Sequence, residues 1–377
     1  KHMSSKKYKL LYFVSEDEYF ISHKLDQLKN AQKKYEILVV SRFKKFEKKI
    51  NYQGFKTKNI NFDRKSINPI YEFFKIVQFL RIIIKFQPDI IQATALKPIL
   101  YLSLISPLIK RKIKIILCVV GLGYLFTKKS STNTFIKTIY INLIKFFLRK
   151  KNSIYVFQNN DDKQVFERNN LLKGIKYEII KGSGVNTKKF KKKNIKKKYD
   201  IIFHSRILYD KGFKEIIESL ERLREKKVKI KILILGSPDK SNRSSVKLEA
   251  LEKLSREKKI VWKKKVSNVI PFLQSSKISV LPSYREGLPQ SLIEAASCHL
   301  PIITTNVPGC KEVCINNFNG MTVDPKNSKQ LSFAIEKMIN NEKLIKEYGS
   351  NGRKLVEKKF SLDIISNQFL KIYSQNI

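Results

Sequence analysis

Short apolar runs alternating with amphipathic helical stretches predict an α/β protein built on parallel, doubly wound sheets. The alternation stops at a lysine-rich stretch and then restarts, which predicts two such domains, and 377 residues are a natural size for two cores. In the first half, Lys9–Val14 and Glu36–Val40 read as strands, with an amphipathic segment over His23–Ala31 between them. Ile70–Phe86 reads as a helix whose polar residues Glu72, Lys75, Gln78, Arg81 and Lys85 form a narrow stripe at helical spacing. Pro88 breaks it, and the next strand begins at Asp89–Gln92. Ile113–Val120 and Ile154–Gln158 are further buried strands, separated by the helical run Phe135–Lys150.

At residues 188–199 the lysines Lys188, Lys189, Lys191, Lys192, Lys193, Lys196, Lys197 and Lys198 crowd one short stretch. Like charges at that density repel and stay solvated, so the domain boundary is placed there, between a first domain at 3–187 and a second at 200–360. The second half then reads as strand Asp200–His204, helix Lys214–Glu225, strand Lys229–Leu235 and helix Ser245–Arg256. Strand Ile278–Leu281, helix Pro289–Ser297 and strand Ile302–Thr305 follow. Two doubly wound sheets joined by a hinge imply a cleft, and ligands of such sheets bind at the carboxyl ends of the strands.

The composition is that of a folded protein, 42% hydrophobic and 29% charged, but the charge is lopsided: 77 Lys+Arg against 32 Asp+Glu, a net +45. Two readings stand. The excess marks a polyanionic neighbour, nucleic acid or an anionic membrane surface, or it is base composition expressed on solvated faces, since lysine greatly outnumbers arginine. Four cysteines in a chain this long exclude a disulfide scaffold and fit a reducing compartment. Lys1-His2-Met3 reads as an expression remnant, and no secretory signal or lipidation motif follows it. Apolar stretches are broken by Lys or Arg before the ~20 residues a spanning helix needs. The expectation is a cytoplasmic protein, peripheral on the inner face of the plasma membrane.

Two stretches could carry chemistry. In Phe203-His204-Ser205-Arg206-Ile207-Leu208-Tyr209-Asp210-Lys211-Gly212, a strand runs into a loop and then a helix. Arg206 and Lys211 are fixed cations at the carboxyl end of that strand, suited to a diphosphate leaving group on which negative charge develops; a solvated loop is the alternative. In Pro282-Ser283-Tyr284-Arg285-Glu286-Gly287-Leu288-Pro289-Gln290-Ser291-Leu292-Ile293-Glu294-Ala295, Pro289 suits the first helical position. Gly287 allows close backbone approach, and the N–H groups near Leu288 can receive a phosphate. Glu286 and Glu294 are placed to grip hydroxyl groups on two parts of one ligand.

Together, Arg-x4-Lys-Gly followed by Glu-x7-Glu resembles the retaining glycosyltransferases of family 4. These have the GT-B architecture of two facing Rossmann-like doubly wound domains with an interdomain cleft. Pro308-Gly309-Cys310-Lys311-Glu312-Val313 and Asn319-Gly320 before a strand add to the likeness. The resemblance implies that Arg206 and Lys211 bind the donor diphosphate, Glu294 the nucleotide ribose and Glu286 hydroxyls of the donor sugar, while the Gly287–Leu288 backbone meets the diphosphate. Arg206, Lys211 and Glu286 are then the catalytic set. It implies transfer with retention by same-face attack, the departing diphosphate accepting the acceptor's proton and domain closure excluding water. It also implies that the C-terminal helix, 361–377, completes the first domain.

For the acceptor, Glu16-Asp17-Glu18-Tyr19-Phe20-Ile21-Ser22-His23 follows the first strand; His23 contacts substrate or is a solvent-facing residue at a helix start. Gly121-Leu122-Gly123-Tyr124 is similar to the family's glycine-rich loop, with Val120 where several relatives have His or Glu. Lys181-Gly182-Ser183-Gly184-Val185-Asn186 is similar to its interdomain turn, so Gly121, Gly123 and Gly184 join His23 as acceptor or cleft residues.

Ser66-Ile67-Asn68-Pro69, Asp89-Ile90-Ile91-Gln92 and Gly121-Leu122-Gly123 look closest to a PglA-like subgroup. That subgroup transfers N-acetylgalactosamine from its UDP donor to an undecaprenyl-diphosphate-linked amino sugar in bacterial surface glycan assembly. The expected partners are therefore a UDP-sugar, a polyisoprenyl-diphosphate-linked saccharide and an anionic membrane surface.

No cofactor and no metal are expected. Asp-x-Asp is absent, Cys310-x3-Cys314 with His299 lacks a usual zinc spacing, and Gly121-x-Gly123 lacks the rest of a dinucleotide site. Nothing resembles a recognition helix or an RNP-type motif, so nucleic acid is not an expected partner. The alternatives are a GT-B-fold sugar-nucleotide epimerase and a basic membrane-surface binding protein without transferase activity.

Overall fold

The computed structural model describes residues 7–61, 66, 68–123, 126, 131–239 and 242–375. They form two compact units, one of residues up to Ser183 together with those from Ile365 onward, the other Gly184–Ile364. The first holds strands β1 (Tyr8–Glu16), β2 (Tyr35–Arg42), β3 (Lys56–Asn59), β4 (Ile90–Thr94), β5 (Lys114–Val119), β6 (Ser153–Phe157) and β7 (Lys176–Ile179). They pair in the order β3-β2-β1-β4-β5-β6-β7, every pair parallel. The second holds β8 (Tyr199–His204), β9 (Ile232–Leu235), β10 (Val261–Lys263), β11 (Ser276–Leu281), β12 (Ile302–Thr305) and β13 (Gly320–Val323). Its order is β10-β9-β8-β11-β12-β13, again all parallel.

Strand alternation explains why both faces must be covered. In β1, Leu11 and Phe13 enter one apolar core while Leu10, Tyr12 and Val14 enter the core on the opposite face. Strand β5 repeats this with Ile115, Leu117 and Val119 on one side and Ile116 and Cys118 on the other. The helices Pro69–Phe86, Leu96–Ile105 and Ser131–Phe147 supply one cover. The C-terminal helix Leu362–Ser374 lies on the other cover, where the Tyr373 hydroxyl donates to Gln92 Oε1 at 2.6 Å. Among the described residues, no helix is long and apolar enough to cross a membrane.

Several sequence boundaries shift for local reasons. The Ser66-Ile67-Asn68-Pro69 stretch starts a helix: Asn68 Oδ1 accepts from the N–H groups of Ile70 and Tyr71 at 3.1 and 3.2 Å, and Pro69 occupies the first turn. Ile67 lies outside the described residues. Pro289 flanks the second unit's Gln290–Ser297 helix rather than opening it, because its ψ of 103° is extended. The lysine-rich stretch is not a linker between the units. Its lysines are exposed, but its backbone is fastened into the second unit. Gln274 Nε2 donates to the Lys191 carbonyl at 2.8 Å, and Arg353 Nη1 to that of Phe190 at 2.7 Å.

The amphipathic segment over His23–Ala31 begins within a π-helical turn, Phe20–Lys24, and continues as an α-helix over Leu25–Ala31. Lys24 is fully buried there, donating to Gln27 Oε1 at 3.1 Å, with Phe369 5.2 Å away. Burial lowers its pKa from 10.5 to about 8. Below pH 8 the amine is charged in both the folded and the unfolded chain, and the desolvation cost is fully present. As pH rises from 8 to about 10.5 the folded chain releases its proton first, so stability rises. Lys24→Met is therefore expected to stabilise the protein by about 1–3 kcal/mol at pH 7. Denaturant titrations of both proteins from pH 7 to 10 should show that gain shrinking as pH rises; a pH-independent difference contradicts it.

Candidate functional site

In the second sheet the strand order switches between β8 and β11, the place where loops leaving the carboxyl ends part to opposite sides. Residues 205–212 leave β8 and residues 282–289 leave β11. These two loops grip one another. The N–H of Tyr284 donates to the Asp210 carbonyl at 2.9 Å, and the Tyr284 hydroxyl donates to Glu215 at 2.7 Å. Burial and that carboxylate push the Tyr284 phenol well up from its ordinary pKa. Gly212 makes the approach possible: its φ is +77°, and a Cβ there would lie 2.1 Å from the Pro282 carbonyl oxygen. From the other side, the Glu286 N–H donates to the Pro308 carbonyl at 3.2 Å, and a Cβ on Gly309 would strike the Glu286 and Gly287 carbonyls.

Within this frame, Lys211 Nζ and Glu286 Oε1 form a direct ion pair, both side chains largely buried. The same carboxylate oxygen accepts from Ser283 Oγ at 2.7 Å. Ser283 is itself completely buried, and Thr305 Oγ1 donates to its carbonyl. Leu288 packs against the second unit's core, which anchors the backbone between Glu286 and the Gln290–Ser297 helix. Glu294, on that helix, faces His204 at the end of β8, with Oε2 3.6 Å from Nε2. His204 Nε2 is buried and makes no hydrogen bond. Gln290 Nε2 donates to the Gly184 carbonyl at 3.1 Å, bringing the start of the helix to that turn.

Lys211, Glu286 and the Gly287–Leu288 backbone thus come together, with Glu294 on the adjoining helix. Arg206 does not join them: its exposed guanidinium pairs with Asp239 Oδ2 at 2.9 Å, on the loop leaving β9. Sequence reasoning passed over Ser283 and Asp239. Ser283 lies inside the Pro282–Ala295 stretch, but Asp239 is 33 residues from Arg206 and has no motif of its own. Cys310 and Cys314 are buried, the Cys310 thiol pushed up to about 12 by burial, and Cys314 belongs to the apolar core.

The first unit gives its expected positions different settings. His23 Nδ1 lies 2.7 Å from Ser22 Oγ, and its ring stacks on Tyr19 at 4.5 Å. The neighbouring Asp17 is structural: its buried Oδ2 accepts the backbone N–H groups of Lys44, Lys45 and Phe46 at 2.8–2.9 Å. Gly121 and Gly123 follow β5, and Tyr124 lies outside the described residues. At the end of β4, Ala95 is held at φ +85°, a conformation L-residues rarely adopt and one no sequence pattern announces.

Residues 9–159 match the family model described as Glycosyl transferase 4-like, and residues 185–355 the one described as Glycosyl transferases group 1. Over 359 residues the chain is 28% identical to the N,N'-diacetylbacillosaminyl-diphospho-undecaprenol alpha-1,3-N-acetylgalactosaminyltransferase of Campylobacter jejuni, covering 92% of each chain. It is 36% identical over 169 residues to the capsular polysaccharide biosynthesis glycosyltransferase CapM of Staphylococcus aureus, covering 45% of this chain and 44% of that one. Among solved structures, Anabaena HepE in complex with UDP and glucose matches with a TM-score of 0.79 at 15% identity, over 98% of this chain and 100% of that one. Sucrose-phosphate synthase from Thermosynechococcus elongatus matches at 0.78 and 16%, over 98% and 99%. These likenesses show the two-domain GT-B fold that the sequence predicts.

The contact at Gly212 can be tested without any ligand. Gly212→Ala adds a methyl group where a carbonyl oxygen already lies and forces a positive φ on alanine, so the variant should lose at least about 2 kcal/mol. Urea denaturation measures this; a loss under about 0.5 kcal/mol would show that the two loops do not press together.

Proposed function

We propose, from the premise that this chain is a GT-B-fold glycosyltransferase, that it moves a sugar from a UDP-sugar to a polyisoprenyl-diphosphate-linked saccharide. The sugar proposed is an N-acetylhexosamine, best matched by N-acetylgalactosamine, and the product a bacterial surface or protein-linked glycan. The observation that carries this reading is the likeness over 92% of both chains to the Campylobacter enzyme, whose name states such a donor sugar and such an acceptor. Transfer is proposed to retain the anomeric configuration, to need no metal and to take place at the inner face of the plasma membrane, where a lipid-diphosphate acceptor lies.

The geometry supplies roles for named residues. Lys211 sits against Glu286, so a diphosphate arriving there would compete for its charge and leave Glu286 turned to the hydroxyls of the sugar being moved. Arg206, at the same end of β8, would supply the second cation once drawn from Asp239. Preorganised cations matter most where leaving-group charge develops. Glu294, held close to His204, would receive the ribose hydroxyls. Screening UDP-sugars for transfer onto lipid-diphosphate acceptors tests the reading. Interconversion of the UDP-sugar without any acceptor would instead identify an epimerase.

Arg206→Ala or Lys211→Ala should cut turnover about 10²–10³-fold while leaving the melting transition cooperative. Near-parental rates in both would overturn their roles. Glu294→Ala should chiefly weaken UDP binding in calorimetry, whereas Glu286→Ala should chiefly slow sugar transfer. An unchanged UDP affinity on losing Glu294 contradicts the ribose role.

A further inference from the structure

Alternation along β8 puts Ile202 in the apolar core on one face of the second sheet and Phe203 in the core on the other. His204, two residues after Ile202, continues the first stripe. It pairs with Leu235 of β9 as Ile202 pairs with Leu233, and both leucines belong to that core. The pattern calls for an apolar side chain at this position. Instead the imidazole is only 8% exposed, and its Nε2 is buried with no hydrogen-bond partner. A leucine would fill the place without leaving a buried polar atom unpaired, so packing does not explain the histidine.

The group it faces is equally incomplete. Glu294 Oε2 lies 3.6 Å from His204 Nε2, too far for a hydrogen bond. Among the described residues no other donor reaches the Glu294 carboxylate, although its side chain is 18% exposed. The next residue, Ala295, and Cys298 one turn on belong to the same apolar core as Ile202. Glu286 differs: Lys211 and Ser283 hold it before any ligand arrives. Glu294 therefore has one neighbour able to orient it, a buried nitrogen a few tenths of an ångström short of contact.

We infer that His204 is a positioning residue for Glu294, and through it a determinant of selectivity for a sugar with two adjacent hydroxyls. When such a diol binds, the His204 Nε2–H closes onto Oε2 and fixes the carboxylate so that it accepts from both hydroxyls. Hydrogen bonds to an ionised carboxylate are strong, and a carboxylate of fixed orientation loses least on making two. The cost of the unpaired nitrogen is recovered only in the complex, which turns a defect of the free protein into ligand selectivity. The imidazole is too enclosed to meet the ligand itself, so it acts through Glu294. The inference rests on the ribose role proposed for Glu294 and deepens it.

Calorimetry of the full chain with UDP and with 2′-deoxy-UDP tests it, alongside thermal melting without ligand. The parent should bind UDP about tenfold more tightly than 2′-deoxy-UDP. His204→Leu should weaken UDP about tenfold and 2′-deoxy-UDP less than about threefold, so most of the preference is lost. Its melting midpoint should stay at or above the parent's. His204→Gln, whose amide can still donate, should keep part of the preference. Glu294→Ala should abolish it. If Glu294→Ala keeps the preference, the ribose role of Glu294 fails and the inference falls with it. If Glu294→Ala abolishes the preference while His204→Leu keeps the parental value, the ribose role stands and the role of His204 alone is overturned. A His204→Leu midpoint well below the parent's, or loss of its cooperative melting, would show that the fold itself needs the histidine and would also overturn the proposal.

Discussion

A parallel strand cannot hydrogen-bond to its successor without a crossover, and each crossover returns the chain to the same starting edge of the sheet. All strands of one sheet therefore end on one edge. The chemistry of the second unit depends on that constraint. Strands β8 and β11 lie side by side, so the loops carrying Lys211 and Glu286 emerge together although the residues are 75 apart in sequence. The double cover follows from the same topology: with helices on both faces, alternate residues of β1 and β5 must both be apolar, as they are.

Once the loops are adjacent, steric detail sets how closely they meet. A carbonyl of one loop rests where the Cβ of residue 212 would be, and residue 309 allows a second strand exit to press on the Glu286–Gly287 carbonyls. Backbone hydrogen bonds from Tyr284 and Glu286 then tie the carboxylate-bearing loop from two sides. Ser283, buried beneath, gives the carboxylate of Glu286 one defined orientation. The result is a preorganised cation and anion rather than two mobile side chains, which is the condition under which such groups act on a developing charge.

In a chain this rich in lysine, carboxylates are scarce, and their positions are informative. Asp17 collects three backbone N–H groups, Glu72 joins two helices through Lys97 and Tyr101, Glu286 holds Lys211, and Glu294 faces His204. The cations show the opposite pattern. Most are solvated, while Lys24 is buried without a carboxylate partner in hydrogen-bond reach, against Gln27 and an aromatic ring, at a cost in stability.

Apolar periodicity reads β1, β2, β4, β5 and β6 in the first sheet and β8, β9, β11 and β12 in the second, but passes over the short edge strands β3, β7 and β10, whose side chains are exposed or half-buried. It also predicts that both sheets are parallel and that Arg206, Lys211 and Glu286 lie in loops leaving strand ends, with Glu294 on the helix beyond. These properties are carried by neighbours within a few residues: apolar periodicity, breakers such as Pro88, and the spacing of charges along one loop. Tertiary structure alone decided that Glu286 takes Lys211 while Arg206 takes Asp239, and that Lys24 turns inward on a π-helical turn. It also decided that the lysine-rich stretch belongs to the second unit, and that Tyr373 reaches Gln92 across 281 residues. Those outcomes depend on strand order and on which loops share an edge. Periodicity is a property of one element at a time, whereas a contact between distant loops exists only after the sheet has assembled.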